Sequence, residues 1–130
     1  MTAQEHAELV NRILIEYGSR PDLRLWKQAS GVALTMDGKR KFRFGVKGWA
    51  DIGGIRSDGV VVQIECKTGA AVQSKAQTNW QAMIERMGGV YIVARKVSDV
   101  DQVLVSPGPV RPQEQTAQGG EQGKDPPGRE

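Results

Sequence analysis

Asp51-Ile52-Gly53-Gly54-Ile55-Arg56-Ser57-Asp58-Gly59-Val60-Val61-Val62-Gln63-Ile64-Glu65-Cys66-Lys67 reads as two extended segments folded back on one another. Asp58-Gly59 is a strong hairpin signal, and Ser57-Asp58-Gly59 suits a three-residue loop in which a type I turn is followed by a left-handed glycine. Loop length decides what meets what, because a slip of one residue turns every side chain to the opposite face. With three loop residues Arg56 pairs with Val60, and counting outward sets Ile52 against Ile64, Gly54 against Val62 and Asp51 against Glu65. A two-residue loop would set Asp51 against Cys66 instead. The longer loop is expected, because it gathers the apolar residues on one face and leaves Asp51, Glu65 and Lys67 together on the other.

That trio has a chemical implication. Two carboxylates at close range repel, and burying them uncompensated is costly, so their convergence calls for a cation that both can ligate. Magnesium suits the pair, since it takes hard oxygen ligands, keeps several waters and is typically held by one or two carboxylates plus a substrate phosphate. An ammonium beside it, Lys67, can hold the attacking water or stabilise charge developing on phosphate oxygens. A bare Glu-x-Lys on a strand is most often a solvated ion pair. Here the strand is led by Val60-Val61-Val62 and paired with a segment that delivers an aspartate to the same place. The reading is therefore a metal-dependent nuclease.

Composition limits the alternatives. From Ser106 to Glu130 lie five of the six prolines and five of the sixteen glycines, with only Val110 and Ala117 apolar. Such a segment cannot bury enough surface to fold, so a domain over 1–105 and a disordered Pro/Gly-rich tail over 106–130 are expected. Outside the tail fifteen basic residues face eleven acidic ones, and between Ser19 and Lys67 the ratio is ten to five. Lys39, Arg40, Lys41, Arg43 and Lys47 dominate that excess. They are the expected phosphate contacts of a nucleic-acid surface, where the bland alternative is a solvated hairpin.

No segment is apolar enough to span a membrane and no signal-peptide core is visible, which points to a cytoplasmic protein. The single cysteine, Cys66, has no internal disulfide partner and is expected to turn into the core as a small hydrophobe. One histidine and one cysteine exclude a zinc cluster, and the same scarcity argues against Ser-His-Asp or Cys-His catalysis.

Outward along the chain, Thr2-Ala3-Gln4-Glu5 is a capping box, followed by Leu9, Val10, Ile13, Leu14 and Tyr17 at helical spacing up to Gly18. Leu23 and Leu25, then Val32 to Leu34, then Phe42, Phe44 and Val46 after Asp37-Gly38 mark two or three strands. Ser74 to Met87 reads as a second helix, with Ala76, Trp80, Met83, Ile84 and Met87 on one stripe and Gly88-Gly89 as its stop. Ser74-x-x-Gln77 is itself a capping box. Val90 to Ala94 is a short buried strand, and Ser98 with Asp101 suggests one more short helix. Trp26 and Trp80 are expected in the core, with Trp49 left open between core and base stacking. The fold class is α/β: helix, three or more antiparallel strands, helix, strand, in a mixed central sheet with flanking helices.

In that order the chain resembles the virus-type replication-repair nuclease (VRR-NUC) domain of the PD-(D/E)XK nuclease superfamily. Gly48-Trp49-Ala50-Asp51-Ile52 matches the family's Gly-x-x-Asp element, Ile64-Glu65-Cys66-Lys67 its Glu-x-Lys, and Ser74-Lys75-Ala76-Gln77 leading to Gly88-Gly89-Val90 its helix with a glutamine. The resemblance covers helix one to about Val105. It implies a restriction-endonuclease-like core, with Mg2+ or Mn2+ held by Asp51, Glu65 and the Cys66 carbonyl. It also implies Lys67 at the water and Gln77 orienting the site. Family members cut flapped or branched DNA, and stand-alone viral forms are similar to homodimeric Holliday-junction resolvases. A phage or prophage source, a host-cytoplasm location and a part in DNA repair follow from the resemblance alone. The family's helix-one glutamate aligns with His6, near Glu5 and Glu8, and none of the three is assigned. The expected function is a structure-specific DNA endonuclease. The alternatives are a non-catalytic basic DNA-binding accessory protein with the same fold and, third, an RNA-directed nuclease.

Overall fold

The computed structural model describes residues 2–104. Val105 and the expected tail over 106–130 lie outside the described residues. Thr2 caps helix α1 (Ala3–Tyr17): its hydroxyl accepts from the Glu5 amide, and the Glu5 carboxylate accepts from the Thr2 amide in return. The chain then runs through β1 (Ser19–Arg20), β2 (Leu23–Lys27), β3 (Gly31–Leu34), β4 (Lys41–Phe44), β5 (Ile52–Arg56) and β6 (Val61–Cys66). Helix α2 (Lys75–Arg86), β7 (Val90–Ala94) and a 3-10 segment (Val97–Val103) follow. The fold is α/β, with a mixed sheet of five strands in the order β1-β2-β5-β6-β7. Neighbours are antiparallel except β6 and β7, which run parallel and are joined by the α2 crossover.

The Asp51–Lys67 hairpin has the expected register. Arg56 N donates to Val60 O at 3.0 Å, Gly59 takes a left-handed φ of 88°, and Ile52 and Gly54 pair with Ile64 and Val62. Alternation along the strands then sorts side chains to two faces. On one, Ile52, Val62, Ile64, Cys66 and Ile92 pack with Leu9, Val10 and Ile13 of α1 and with Val100 and Val103. On the other, Tyr91 and Val93 join Ala50, Trp80, Met83 and Ile84 beneath α2. Fully buried residues such as Ile13, Ile52 and Ile64 each contribute about 1.5–3 kcal/mol by leaving water. Cys66 turns into the core as expected.

Several expectations need correction. Trp26 is not a core residue: it is 48% exposed, because the face of β2 opposite Leu23 and Leu25 is left uncovered. Met87 is 74% exposed, since the α2 stripe ends at Ile84 and Met87 is already the helix cap. The final short helix is the 3-10 turn, and its entry carboxylate is Asp99, which accepts from the amides of Arg95 and Lys96. Asp101 instead accepts the Tyr17 hydroxyl at 2.7 Å. Trp80 is partly buried, and its Nε1 donates to Gln63. Strands β3 and β4 form as expected but outside the main sheet, as a two-stranded ribbon of their own. Among the described residues no helix is long and apolar enough to cross a membrane.

Candidate functional site

Strand β5 begins at Ile52, so Asp51 stands at its lip, where the chain bends in from the Gly48–Ala50 loop. The Asp51 backbone carbonyl accepts from Gln28 N, which ties the lip to the end of β2. Its carboxylate Oδ2 accepts from the Cys66 amide at 2.8 Å and lies 3.3 Å from Nε2 of His6. Asp51 therefore meets β6 at the peptide that joins Glu65 to Cys66. The β5–β6 pairing runs as the odd loop length requires as far as Ile52 with Ile64, and Asp51 lies one residue beyond it.

Glu65 is fully buried on the α2 side of the sheet. Its Oε1 accepts from the Tyr91 hydroxyl in a short hydrogen bond and from Gln73 Nε2 at 3.2 Å. Burial first, and then the carboxylate beside it, push the Tyr91 phenol upward, so the phenol keeps its proton and acts as a donor. The other oxygen, Oε2, is buried without a hydrogen-bond donor. Lys67 Nζ sits 3.2 Å from it as an ion pair, at an angle that makes no hydrogen bond. That ammonium donates instead to Gln77 Oε1 at 3.1 Å.

Gln77 has two tasks at once. Its Oε1 also accepts from the Ser74 amide at 2.8 Å, closing the capping box that starts α2. The cap thus fixes the oxygen that holds Lys67. Beneath this layer Gln63 accepts from both Trp80 Nε1 and Gln28 Nε2, fastening α2 to the sheet. Burial, followed by the nearby Asp51 and Glu65 charges, pushes the Cys66 thiol up to about 12, which leaves it a neutral packing group.

Beside Asp51 lies a groove of about 380 Å³ bordered by Lys27, Gln28, Lys47, Trp49 and Gln77. It shares Lys47 and Ala76 with a second hollow of about 550 Å³ walled by Lys75, Trp80 and Met83. Of the five expected phosphate contacts only Lys47 borders these hollows; Lys39, Arg40, Lys41 and Arg43 stand on the β3–β4 ribbon.

Glu65, Lys67 and Gln77 are thus joined side chain to side chain, while Asp51 lines a groove with Gln77 and has its own carboxylate engaged by the Cys66 amide and His6 of α1. Tyr91, Gln73, Lys27 and Lys75 join them without having been singled out in the sequence, and so does His6, which the sequence named but left unassigned. His6 had a signal in the helix-one frame. Tyr91 had none, because a parallel neighbour's register is not set by any turn. Glu5 is accounted for by its cap. Among the described residues no three His, Cys, Asp or Glu side chains converge as a metal cluster. The side-chain oxygens that could serve a cation here are Glu65 Oε2 and the Asp51 carboxylate, hard donors of the kind a well-hydrated ion takes. The donorless Glu65 Oε2 fits such an ion. No family model matches the chain, and no curated protein matches it.

Proposed function

We propose that this chain is a metal-dependent DNA endonuclease with a restriction-endonuclease-like, VRR-NUC-type core, hydrolysing phosphodiester bonds in branched DNA. The observation that carries the reading is the buried Glu65 carboxylate, one oxygen held by Tyr91 and Gln73 and the other facing Lys67 without a donor, one residue along from the amide that Asp51 grips. The Lys67 ammonium at 3.2 Å offsets part of the cost of burying this oxygen, and a bound cation would offset more of it. Asp51, Glu65 and the Cys66 carbonyl would hold Mg2+ or Mn2+. When bound, such an ion supplies Lewis acidity and a lowered water pKa. Lys67, steered by Gln77, places its ammonium where an attacking water and the phosphate's developing charge need a donor. Tyr91 and Gln73 keep the Glu65 carboxylate turned toward the site. Lys27, Lys47 and Lys75 border the adjoining hollows and supply charge for the strand's phosphates.

The cations bordering the hollows suit phosphates rather than base edges, so recognition on this reading rests on DNA shape and backbone contacts. Two copies related by a two-fold axis would suit a four-way junction. The test is incubation of the whole chain with flap, fork and four-way junction DNA in magnesium, manganese or chelator. Expected is metal-dependent cutting that Lys67→Ala removes while binding persists. Binding without metal-dependent cutting by the parent protein leaves the accessory-protein reading, and preferential cutting of matched RNA transfers the activity to RNA. Sedimentation at monomer mass, with and without junction DNA, removes the dimer.

A further inference from the structure

The β3–β4 ribbon buries none of its large apolar side chains: Val32, Leu34, Phe42 and Phe44 are 40–58% exposed, and Met36 at the tip is fully exposed. A lone two-stranded ribbon is marginal in water, and clustered apolar exposure on a small protein marks a surface that meets something. The tip is nonetheless firmly built. Asp37 Oδ1 accepts from the Thr35 hydroxyl and the Lys39 amide, the Thr35 amide donates to Arg40 O at 2.8 Å, and Gly38 N donates to Thr35 O at 2.8 Å. Met36 is therefore presented on a fixed turn.

Charge identifies the partner. Between Gly31 and Lys47 there are five cations and one acid, and that acid, Asp37, is engaged within the turn. Among the described residues none of the five cations enters an ion pair; the ion pairs all lie elsewhere. Cross-strand register puts Lys41 and Arg43 on the same face as Leu34 and Val32, so charge and apolar surface share one side. A second copy would set five cations against five. A polyanion whose apolar interior can be entered answers both features, and a two-stranded ribbon is narrow enough to lie in a DNA groove.

We propose that the β3–β4 ribbon is a wedge that enters DNA at a branch or kink, with Met36 inserted between base steps and Lys39, Arg40, Lys41 and Arg43 on the flanking phosphates. Apolar wedges of this kind unstack a step and hold the duplex bent. The choice of DNA rests on the nuclease reading above; the wedge itself needs no cutting.

The test uses the whole chain in chelator with a four-way junction carrying 2-aminopurine at the branch or, as control, within an arm. Expected is a fluorescence rise at the branch only, abolished by Met36→Ala. Replacing Arg40 and Arg43 together by Ala is expected to weaken binding to every DNA and to lower the log-log salt slope by about 2, at ~0.9 per phosphate contact. All three positions are exposed, so the fold is untouched. No branch-specific rise, or a rise that Met36→Ala leaves intact, overturns the wedge. So does Met36-dependent attachment to phosphatidylserine vesicles, or Met36-dependent self-association, without a fluorescence change. A parallel magnesium assay separates the two ideas: a rise without cutting removes the nuclease and keeps the wedge, whereas cutting without a rise removes the wedge alone.

Discussion

Two hairpins in this chain carry the same turn signal and meet opposite fates. Asp37-Gly38 and Asp58-Gly59 each place glycine at positive φ, 72° and 88°, and in each the aspartate Oδ1 accepts from the amide two residues on. One hairpin, β5–β6, lies inside the five-stranded sheet with most of β6 buried; the other, β3–β4, stands apart with all of β4 exposed. Turn chemistry therefore makes the hairpin, but burial decides whether its register has consequences. Around Ser57-Asp58-Gly59 a slip would carry Ile64 and Val62 out of the core and Glu65 off its partners. Around Met36-Asp37-Gly38-Lys39 a slip exchanges one solvated face for another.

The hardest blow to that contrast is to change both loops. Deleting Ser57 is expected to abolish cooperative folding, while deleting Met36 shifts the thermal midpoint by only a few degrees, about 1 kcal/mol or less. A Ser57 deletion that melts like the parent would mean burial does not govern the register. Next in size, Ile64→Ala removes a fully buried side chain and is expected to cost about 2–5 kcal/mol in urea unfolding. Leu34→Ala, at 58% exposure, should cost under about 0.5 kcal/mol.

Function sharpens the same line. Lys67→Ala is expected to slow cutting about 100- to 1000-fold at unchanged DNA affinity. Arg43→Ala on the ribbon should instead weaken DNA binding in a salt-dependent way and leave cutting at saturating DNA near the parent rate. If both variants lost only affinity, the two hairpins would share one role.

The smallest effect is chemical. With its thiol raised from 9.0 to about 12, Cys66 should alkylate at pH 8 only as fast as the protein opens, whereas a cysteine substituted at Leu34 in a Cys66→Ala background reacts at the free-thiol rate. The native state holds the Cys66 proton more tightly than the unfolded chain does. Its contribution is therefore fully present below pH 9 and is lost as pH rises toward about 12, which a pH series of urea midpoints would register.

Where local rules act alone, the sequence is legible. Thr2 with Glu5 and Ser74 with Gln77 form the capping boxes their spacing announces, and the odd loop at Ser57-Asp58-Gly59 sets the register of Ile52 against Ile64. Legibility fails where a neighbour must be known. Alternation in Phe42-Arg43-Phe44 gives a strand's period but not the sheet it joins. Trp26 alternates correctly and still faces solvent, because whether a second layer covers that end of β2 is a property of the whole fold. Tyr91 and Gln73 reach Glu65 through the parallel pairing and the α2 crossover, which no turn residue specifies.

Gly48 has a left-handed φ of 86°, and a methyl group on it would fall 2.5 Å from the Ala76 carbonyl in the first turn of α2. The strip of backbone that delivers Asp51 is thus clamped directly onto the helix that delivers Gln77, main chain against main chain. A pincer so assembled has no independent fingers: one side cannot swing without dragging the other. On the nuclease proposal, adjustment would then have to come from the substrate or from the β3–β4 ribbon, and pliable or already interrupted duplexes would be favoured over stiff ones.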